Sequence, residues 1–158
     1  RAAQAAGLVI MFAEAAAYHA ADLRQRPQAF SDEVRAQLEM GGFYSAVQLV
    51  QAQRLRRYLI VETSRALAEI DVLVMPTSPV PATPLGPGLA AQASLRPRNT
   101  LPFNLLSLPA ISVPCDFTTS GLPVGLQIVG KAFAEVAVLQ VAYAYEQATA
   151  WHKRHPPL

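Results

Sequence analysis

The fold of this chain is decided by two neighbouring segments, LPAISVPC at residues 108–115 and GLPVGLQIV at residues 121–129. Both are apolar, contain β-branched residues and are too short for an ordinary helix. The residues between them are mostly polar. The pattern predicts two short buried strands joined by a polar turn.

Two helices are predicted at the start of the chain. Residues 2 to about 24 are rich in alanine and carry apolar side chains at helical spacing, and Pro27 marks the end of that helix. Ser31 is followed by two acidic residues and is a good N-cap for a short helix to about Met40. Gly41-Gly42 then stops this second helix.

A third and longer helix is predicted from the capping-box pair Ser45 and Gln48 to Ile70, because this run contains neither Pro nor Gly. Four arginines lie on its polar face: Arg54, Arg56, Arg57 and Arg65. They indicate either an anion or RNA patch or a solvated helix face with intrahelical pairs such as Glu62 with Arg65. We favour the solvated face, since such pairs are common on exposed helices.

Further along, Asp71–Met75 is a short β-branched run ended by Pro76, which predicts a buried strand. Residues 76–98 hold six prolines and two glycines, so we expect a loop, and a loop of this length is a candidate rim for an active site. Residues 100–106 are predicted to form one or two helical turns. The last helix is predicted from Ala134 to about His152.

This order of elements predicts an α/β fold in which helices pack on a sheet. Three strands make a thin sheet, and their apolar sequences indicate that both faces are covered. The chain is 52% hydrophobic and only 15% charged, which excludes disorder and suggests that part of its surface is normally covered. The chain begins with Arg1 rather than Met, so we expect it to be part of a longer protein.

Several functions are disfavoured by composition. The net charge of +2 gives no electrostatic case for nucleic acid, and the longest early apolar run is too short to cross a membrane. The single cysteine, Cys115, allows no internal disulfide and fits a cytoplasmic setting. The histidines have no spacing typical of a metal site, so we expect neither metal nor cofactor.

Three nucleophilic side chains fall near the deciding segments. Cys115 has no adjacent base and is interpreted as a buried, inert thiol. Ser112 lies within a strand and is interpreted as a core hydroxyl, whereas Ser107 is interpreted as a turn residue. Asn104 lies at the end of an element, where it could bond the local backbone or point a donor into a cleft; the residues alone favour the backbone role.

Several stretches resemble the amidase signature family, in the family's order along nearly the whole chain. Asp71–Pro79 resembles its D-apolar-apolar-x-x-P-T-x-P element, and Asn99–Leu105 with Leu108–Cys115 resembles its T-x-P-x-N and G-L-P-A-I-S-V-P-C-G stretch. Gly121–Gly130 resembles its G-L-P-V-G-L-Q-L-I-G strand, and Phe133 to Glu146 is similar to its closing helix. The resemblance departs at Ser107 and Asp116, where the family usually has glycine.

The resemblance implies a large mixed sheet covered by helices, of which this chain would be the C-terminal segment. It also implies an amide hydrolase that uses a Ser-Ser-Lys triad, forms an acyl-serine intermediate and needs no cofactor. The glycine- and serine-rich signature is absent from this chain, and neither Lys131 nor Lys153 occupies a matching position. No catalytic residue is therefore carried over, and the chain alone is expected to be inactive.

By the same resemblance, Thr100 and Asn104 are substrate-binding candidates that shape the cleft. We expect residues 1–158 to be the C-terminal portion of one amidase domain, with a helical part at 1–70, strands and the Pro-rich loop at 71–130 and a closing helix at 131–158. The expected partners are a small amide substrate and the missing N-terminal part, and the family also suggests a homodimer.

Two other functions remain open. One is the A subunit of a glutamine-dependent tRNA amidotransferase, although such subunits tend to carry an acidic residue upstream of T-x-P, where this chain has Arg96-Pro97-Arg98-Asn99. The other is a non-catalytic α/β binding module.

Overall fold

The structure is a computed structural model and describes residues 2–84 and 96–155. The described chain separates into two compact units, Arg1–Val61 and Glu62–Leu158. The N-terminal unit is helical and the C-terminal unit contains the sheet. Part of the predicted Pro-rich loop, residues 85–95, lies outside the described residues.

The predicted first helix is interrupted by one residue. It forms as α1 (Ala2–Tyr18) and α2 (Ala20–Gln25), with His19 between them at φ −91° and ψ 7°. The His19 ring packs edge-on against Tyr18 and Phe30, at ring-centre distances of 4.8 and 5.4 Å. The prediction of one continuous helix was therefore wrong at His19. The spacing of apolar residues, on which the prediction was based, does not report the backbone angles of a single residue.

The predicted caps of the next two helices are confirmed. Ser31 Oγ accepts from the Val34 amide at the start of α3 (Asp32–Gly41). At the start of α4 (Ala46–Ala66), the Gln48 amide donates to Ser45 Oγ at 3.2 Å and the Ser45 amide donates to Gln48 Oε1 at 2.8 Å. This reciprocal pair is a capping box.

At the C-terminal end of α4, the predicted ion pair is present but the predicted end of the helix was wrong. Glu62 and Arg65 form the predicted ion pair, at 2.8 Å. The helix ends at Ala66 rather than Ile70, because the following residues make tighter turns and the Lys131 ammonium donates to the Ala68 carbonyl at 2.8 Å. A cation bound to a carbonyl just past a helix C-terminus is a favourable way to end it.

The described sheet contains the three predicted strands: β1 (Val72–Pro76), β2 (Ala110–Phe117) and β3 (Pro123–Gly130). Their order is β1-β3-β2, and both pairs are antiparallel. Pro76 belongs to the strand rather than ending it, which an edge strand tolerates.

Burial follows the position of each strand in the sheet. Only the second half of the central strand β3 is fully buried, while β2 alternates between exposed and covered residues. On the covered face, α6 (Glu135–Ala148) packs against β2 and β3. The core of this packing is formed by Val113, Ile128, Val138 and Ala142.

Two short segments complete the C-terminal unit. The predicted turns between residues 100 and 106 form α5 (Leu101–Leu106), which ends at Ser107 in the left-handed conformation, φ 56°, as expected of a turn residue. The last helix ends at Ala148 rather than near His152. Thr149 is extended there and its hydroxyl donates to the Tyr145 carbonyl at 3.0 Å, which replaces the helical bond.

None of the helices in the described residues combines the length and apolar character needed to cross a membrane.

Candidate functional site

A cleft of about 670 Å³ lies in the C-terminal unit, on the side of the sheet opposite α6. It is bounded by the segment after β1, by the start of β3 and by single residues of β2 and the preceding loop. The lining residues are Thr77, Ser78, Pro79, Val80, Pro81, Ala82, Thr83, Thr100, Ser112, Thr118, Pro123, Val124 and Gly125. No described lining residue has an ionisable side chain, so the described lining is neutral and carries hydroxyl groups.

Two of these hydroxyls meet across the central strand. Thr77 Oγ1 and Ser112 Oγ are 2.6 Å apart, although β1 and β2 do not pair with each other. They meet because Gly125 of β3 has no side chain between them: a Cβ on Gly125 would lie 2.6 Å from Ser112 Oγ and 2.8 Å from Thr77 Oγ1. The Thr77 amide also donates to the Gly125 carbonyl at 2.9 Å, which fixes Thr77 beside the strand.

The loop that carries Thr100 is tied to the same face of the sheet. Gln127, only 3% exposed, donates from Nε2 to the Asn99 carbonyl at 3.0 Å. Asn99 Nδ2 in turn donates to the Pro76 carbonyl at 2.9 Å. This chain of bonds from β3 through the loop to β1 holds Thr100 at the wall of the cleft.

The structure separates the two predicted binding residues. Thr100 lines the cleft, whereas Asn104 lies one helical turn further on, is exposed on α5 and is not among the lining residues. The backbone amide of Asn104 donates to the Thr100 carbonyl at 3.2 Å.

Sequence reasoning missed the hydroxyl pair, and its interpretation of Ser112 was wrong. Ser112 is not a core hydroxyl, since it is exposed and faces the cleft. As a polar residue inside an apolar strand, it could have been predicted to face a site. Its partner Thr77, 35 residues away in sequence, could not have been found from spacing.

Cys115 is half-buried and is not among the residues that line the cleft. Burial, with a smaller contribution from the Asp116 carboxylate, raises the pKa of the Cys115 thiol, and Sγ lies 3.5 Å from the Val124 carbonyl oxygen. A raised pKa lowers the thiolate fraction, in keeping with an unreactive thiol. Within residues 2–84 and 96–155, no three His, Cys, Asp or Glu side chains are placed to hold a metal ion.

Comparison with known proteins defines the class of this fold. A crystal structure of amidase superposes with a TM-score of 0.78 and 31% identity, covering 88% of this chain and 33% of that chain. A structure described as a vestigial protein complex that reveals the evolutionary origins of an s-triazine catabolic enzyme superposes with a TM-score of 0.84 at 23% identity, covering 97% of this chain and 35% of that chain. At that identity the second match shows the fold alone.

The sequence comparisons identify the family. The family model described as Amidase matches residues 2–139, and the chain therefore belongs to the amidase family, as its resemblance to amidase signature enzymes predicted. It is 43% identical over 143 residues to the A subunit of the glutamyl-tRNA(Gln) amidotransferase from Cyanothece sp. (strain PCC 7425 / ATCC 29141). That match covers 85% of this chain but only 30% of the relative, so the chain spans less than a third of the relative's length.

Proposed function

We propose that this chain is the C-terminal portion of an amidase signature enzyme that hydrolyses the carbon–nitrogen bond of a small amide. The observation that carries the proposal is the family match over residues 2–139 in a chain that spans only about 30% of its relative's length. The Ser-Ser-Lys triad would lie in an N-terminal part of the same domain, outside the given sequence.

The proposed chemistry is acyl transfer through serine. A serine hydroxyl of the N-terminal part attacks the amide carbonyl carbon, the amine leaves with a proton relayed from the lysine-serine pair, and water then releases the acid from the acyl-serine. Backbone amides stabilise the tetrahedral oxyanion. The whole reaction needs neither metal nor cofactor.

In this proposal the present chain binds substrate but does not carry out the reaction. The hydroxyl-bearing cleft forms one wall of the active site, with Thr100 in that wall, while Asn104 lies outside the described lining. Lys131 is not placed to act as the base in the described arrangement, because it does not line the cleft and its side chain binds the Ala68 carbonyl. The chain on its own is therefore inactive. The remaining expectations, a cytoplasmic setting and a homodimer, belong to the same proposal.

A second candidate is favoured by the relative at 43% identity, which is the A subunit of a glutamyl-tRNA(Gln) amidotransferase. In that case the intact protein would release ammonia from glutamine for a second protein of the complex. The basic stretch Arg96-Pro97-Arg98 stands against it, because no carboxylate lies there for the amino group of glutamine.

The test is to read the coding sequence upstream of Arg1 and to express the longer protein beside the 158-residue chain. We expect a lysine and a Gly-Ser-rich stretch upstream, and hydrolysis of simple amides by the longer protein only. Replacing the signature serine with alanine should abolish this hydrolysis. Glutamine-dependent activity that requires a co-purified second protein would favour the amidotransferase.

Two results would count against the proposal. If the 158-residue chain hydrolysed amides at a rate abolished by Ser112→Ala, the chain would hold its own nucleophile. If no signature lay upstream and the chain melted cooperatively as a monomer, a non-catalytic binding module would be the better interpretation.

A further inference from the structure

We propose that the hydroxyls of Thr77 and Ser112, above Gly125, form a subsite that binds the N–H edge of a neutral carboxamide. This inference rests on the proposed function for its class of ligand, and it names where on the chain that ligand is held. The geometric basis is the 2.6 Å bond between two hydroxyls at the floor of a cleft.

The hydrogen-bonding capacity of the pair favours a ligand that mainly donates. Each hydroxyl has one proton and two lone pairs, and the mutual bond uses one proton and one lone pair. The pair therefore offers one donor and several acceptor positions. A primary carboxamide has two N–H donors and one carbonyl acceptor, so its N–H edge matches the pair.

The electrostatics of the cleft favour a neutral ligand. Its described lining consists of threonine, serine, proline, valine, alanine and glycine. Among the described lining residues, a bound carboxylate would find no cationic side chain and a bound ammonium would find no anionic one. Leaving either charge partly desolvated and unpaired is costly, whereas a neutral amide loses little.

Gly125 gives the subsite its shape. Because a Cβ at this position would come within 3.0 Å of both hydroxyl oxygens, the glycine keeps the floor open and lets the hydroxyls meet. The side chains of Thr77, which follows β1, and of Ser112 in β2 thus converge on a point that an ordinary residue of β3 would fill.

A purely structural tie between β1 and β2 is the competing explanation. Such a tie would lower stability when broken but would not select among ligands. Binding selectivity therefore separates the two explanations, and Thr77→Ser is the conservative variant, since it keeps the hydroxyl.

The experiment is an NMR titration of the isotope-labelled 158-residue chain with propionamide, propionate and propylammonium. We expect propionamide to shift the amide signals of Thr77, Ser112 and Gly125 and to bind at least about tenfold more tightly than either charged probe. Loss of one hydrogen bond, about 1 kcal/mol, corresponds to about fivefold in affinity. Thr77→Val and Ser112→Ala should therefore each weaken propionamide about fivefold, and Gly125→Ala should weaken it more.

Two control variants test whether the effect on binding depends on these hydroxyls. Thr77→Ser should stay within about twofold of the unchanged chain, and Ser64→Ala, an exposed hydroxyl on α4, should have no effect. The dispersion of the spectrum reports whether each variant is folded, and the selectivity among the three probes needs no variant.

Equal binding of the three probes, binding insensitive to Thr77 and Ser112, or no propionamide binding would overturn the subsite. None of these results would test the proposed hydrolysis, because that activity is measured on the longer protein. Conversely, a longer protein without amidase activity would leave a measured carboxamide subsite in place.

Discussion

The buried side chain of Gln127 donates from Nε2 to the backbone carbonyl of Asn99 at 3.0 Å. This bond joins the middle of the central strand to the residue that precedes Thr100 in the wall of the cleft. Since Gln127 is only 3% exposed, the bond is shielded from water and its loss would leave the Asn99 carbonyl without this partner. The position of one cleft wall therefore depends on a polar residue in the core of the sheet.

Replacing Gln127 with leucine should destabilise the C-terminal unit and loosen residues 96–100. The expected cost is about 1–3 kcal/mol, the range for leaving a buried polar group unpaired. Urea unfolding measures the cost, and amide hydrogen exchange at Asn99 and Thr100 measures the loosening. Gln51→Leu on the exposed face of α4 is the matched control and should change stability by less than about 0.5 kcal/mol. Equal effects of the two variants would contradict the prediction.

The neighbouring glycines Gly41 and Gly42 should respond very differently to alanine. A Cβ on Gly41 would clash with the Phe12 carbonyl, lying 2.7 Å from its carbon, and would lie 2.9 Å from Ala16 Cβ. A Cβ on Gly42 would meet only the Glu39 carbonyl oxygen, at 3.3 Å. Backbone cannot rearrange like a side chain, so Gly41→Ala should cost about 2 kcal/mol or more.

Gly42→Ala serves as the control for that pair. Gly42 has φ −71° and ψ −14°, which alanine adopts readily, so a change within about 1 kcal/mol is expected. Thermal unfolding of both variants provides the measurement. A Gly41 variant as stable as the Gly42 variant would show that α1 and α3 do not approach as closely as described.

The capping box of α4 should show coupling between its two residues. Ser45→Ala and Gln48→Ala each remove bonds to the helix start, at an expected cost of about 1 kcal/mol for the serine. Because each side chain binds the other residue's amide, the double variant should cost less than the sum of the single ones. Helix content by circular dichroism during unfolding tests this. Strict additivity would mean that the two bonds form independently.

Cys115 should be alkylated slowly, and the Asp116 carboxylate should lower the rate of alkylation. Burial and the neighbouring carboxylate both raise the pKa of the thiol, which lowers the reactive thiolate fraction at a given pH. The rate with iodoacetamide should therefore reach half its maximum at a higher pH than in the unfolded chain. Since Cys115 is the single cysteine, the reaction reports this position alone.

Asp116→Asn isolates the electrostatic part of this effect. It removes the charge but keeps an oxygen that can accept from the Phe117 amide, a bond of 2.7 Å in the unchanged chain. The pKa should fall and the rate should rise about two- to fivefold, as expected of an interaction below about 1 kcal/mol. An unchanged or slower rate would indicate that burial alone controls the thiol.

The local elements of this protein follow from neighbouring residues. Ser45 and Gln48 indicate the start of α4, and Glu62 forms an ion pair with Arg65, three residues further along the same helix. The two apolar, β-branched segments at residues 108–115 and 121–129, with a polar stretch between them, predict the hairpin. These features depend on contacts within a few residues, which is the range that periodicity and capping rules describe. The break at His19 and the end at Ala148 escaped prediction because periodicity reports neither the backbone turn at His19 nor the bond from the Thr149 hydroxyl.

The amino-acid sequence by itself determined the helices, the strands and the family, since each is carried by contiguous motifs. Only the tertiary structure decided the cleft. Thr77 and Ser112 are 35 residues apart, and their hydroxyls meet because the sheet places Gly125 between them. Asn99 and Gln127 are likewise joined across 28 residues. Such contacts arise from strand order and register, which bring together side chains that no local pattern relates.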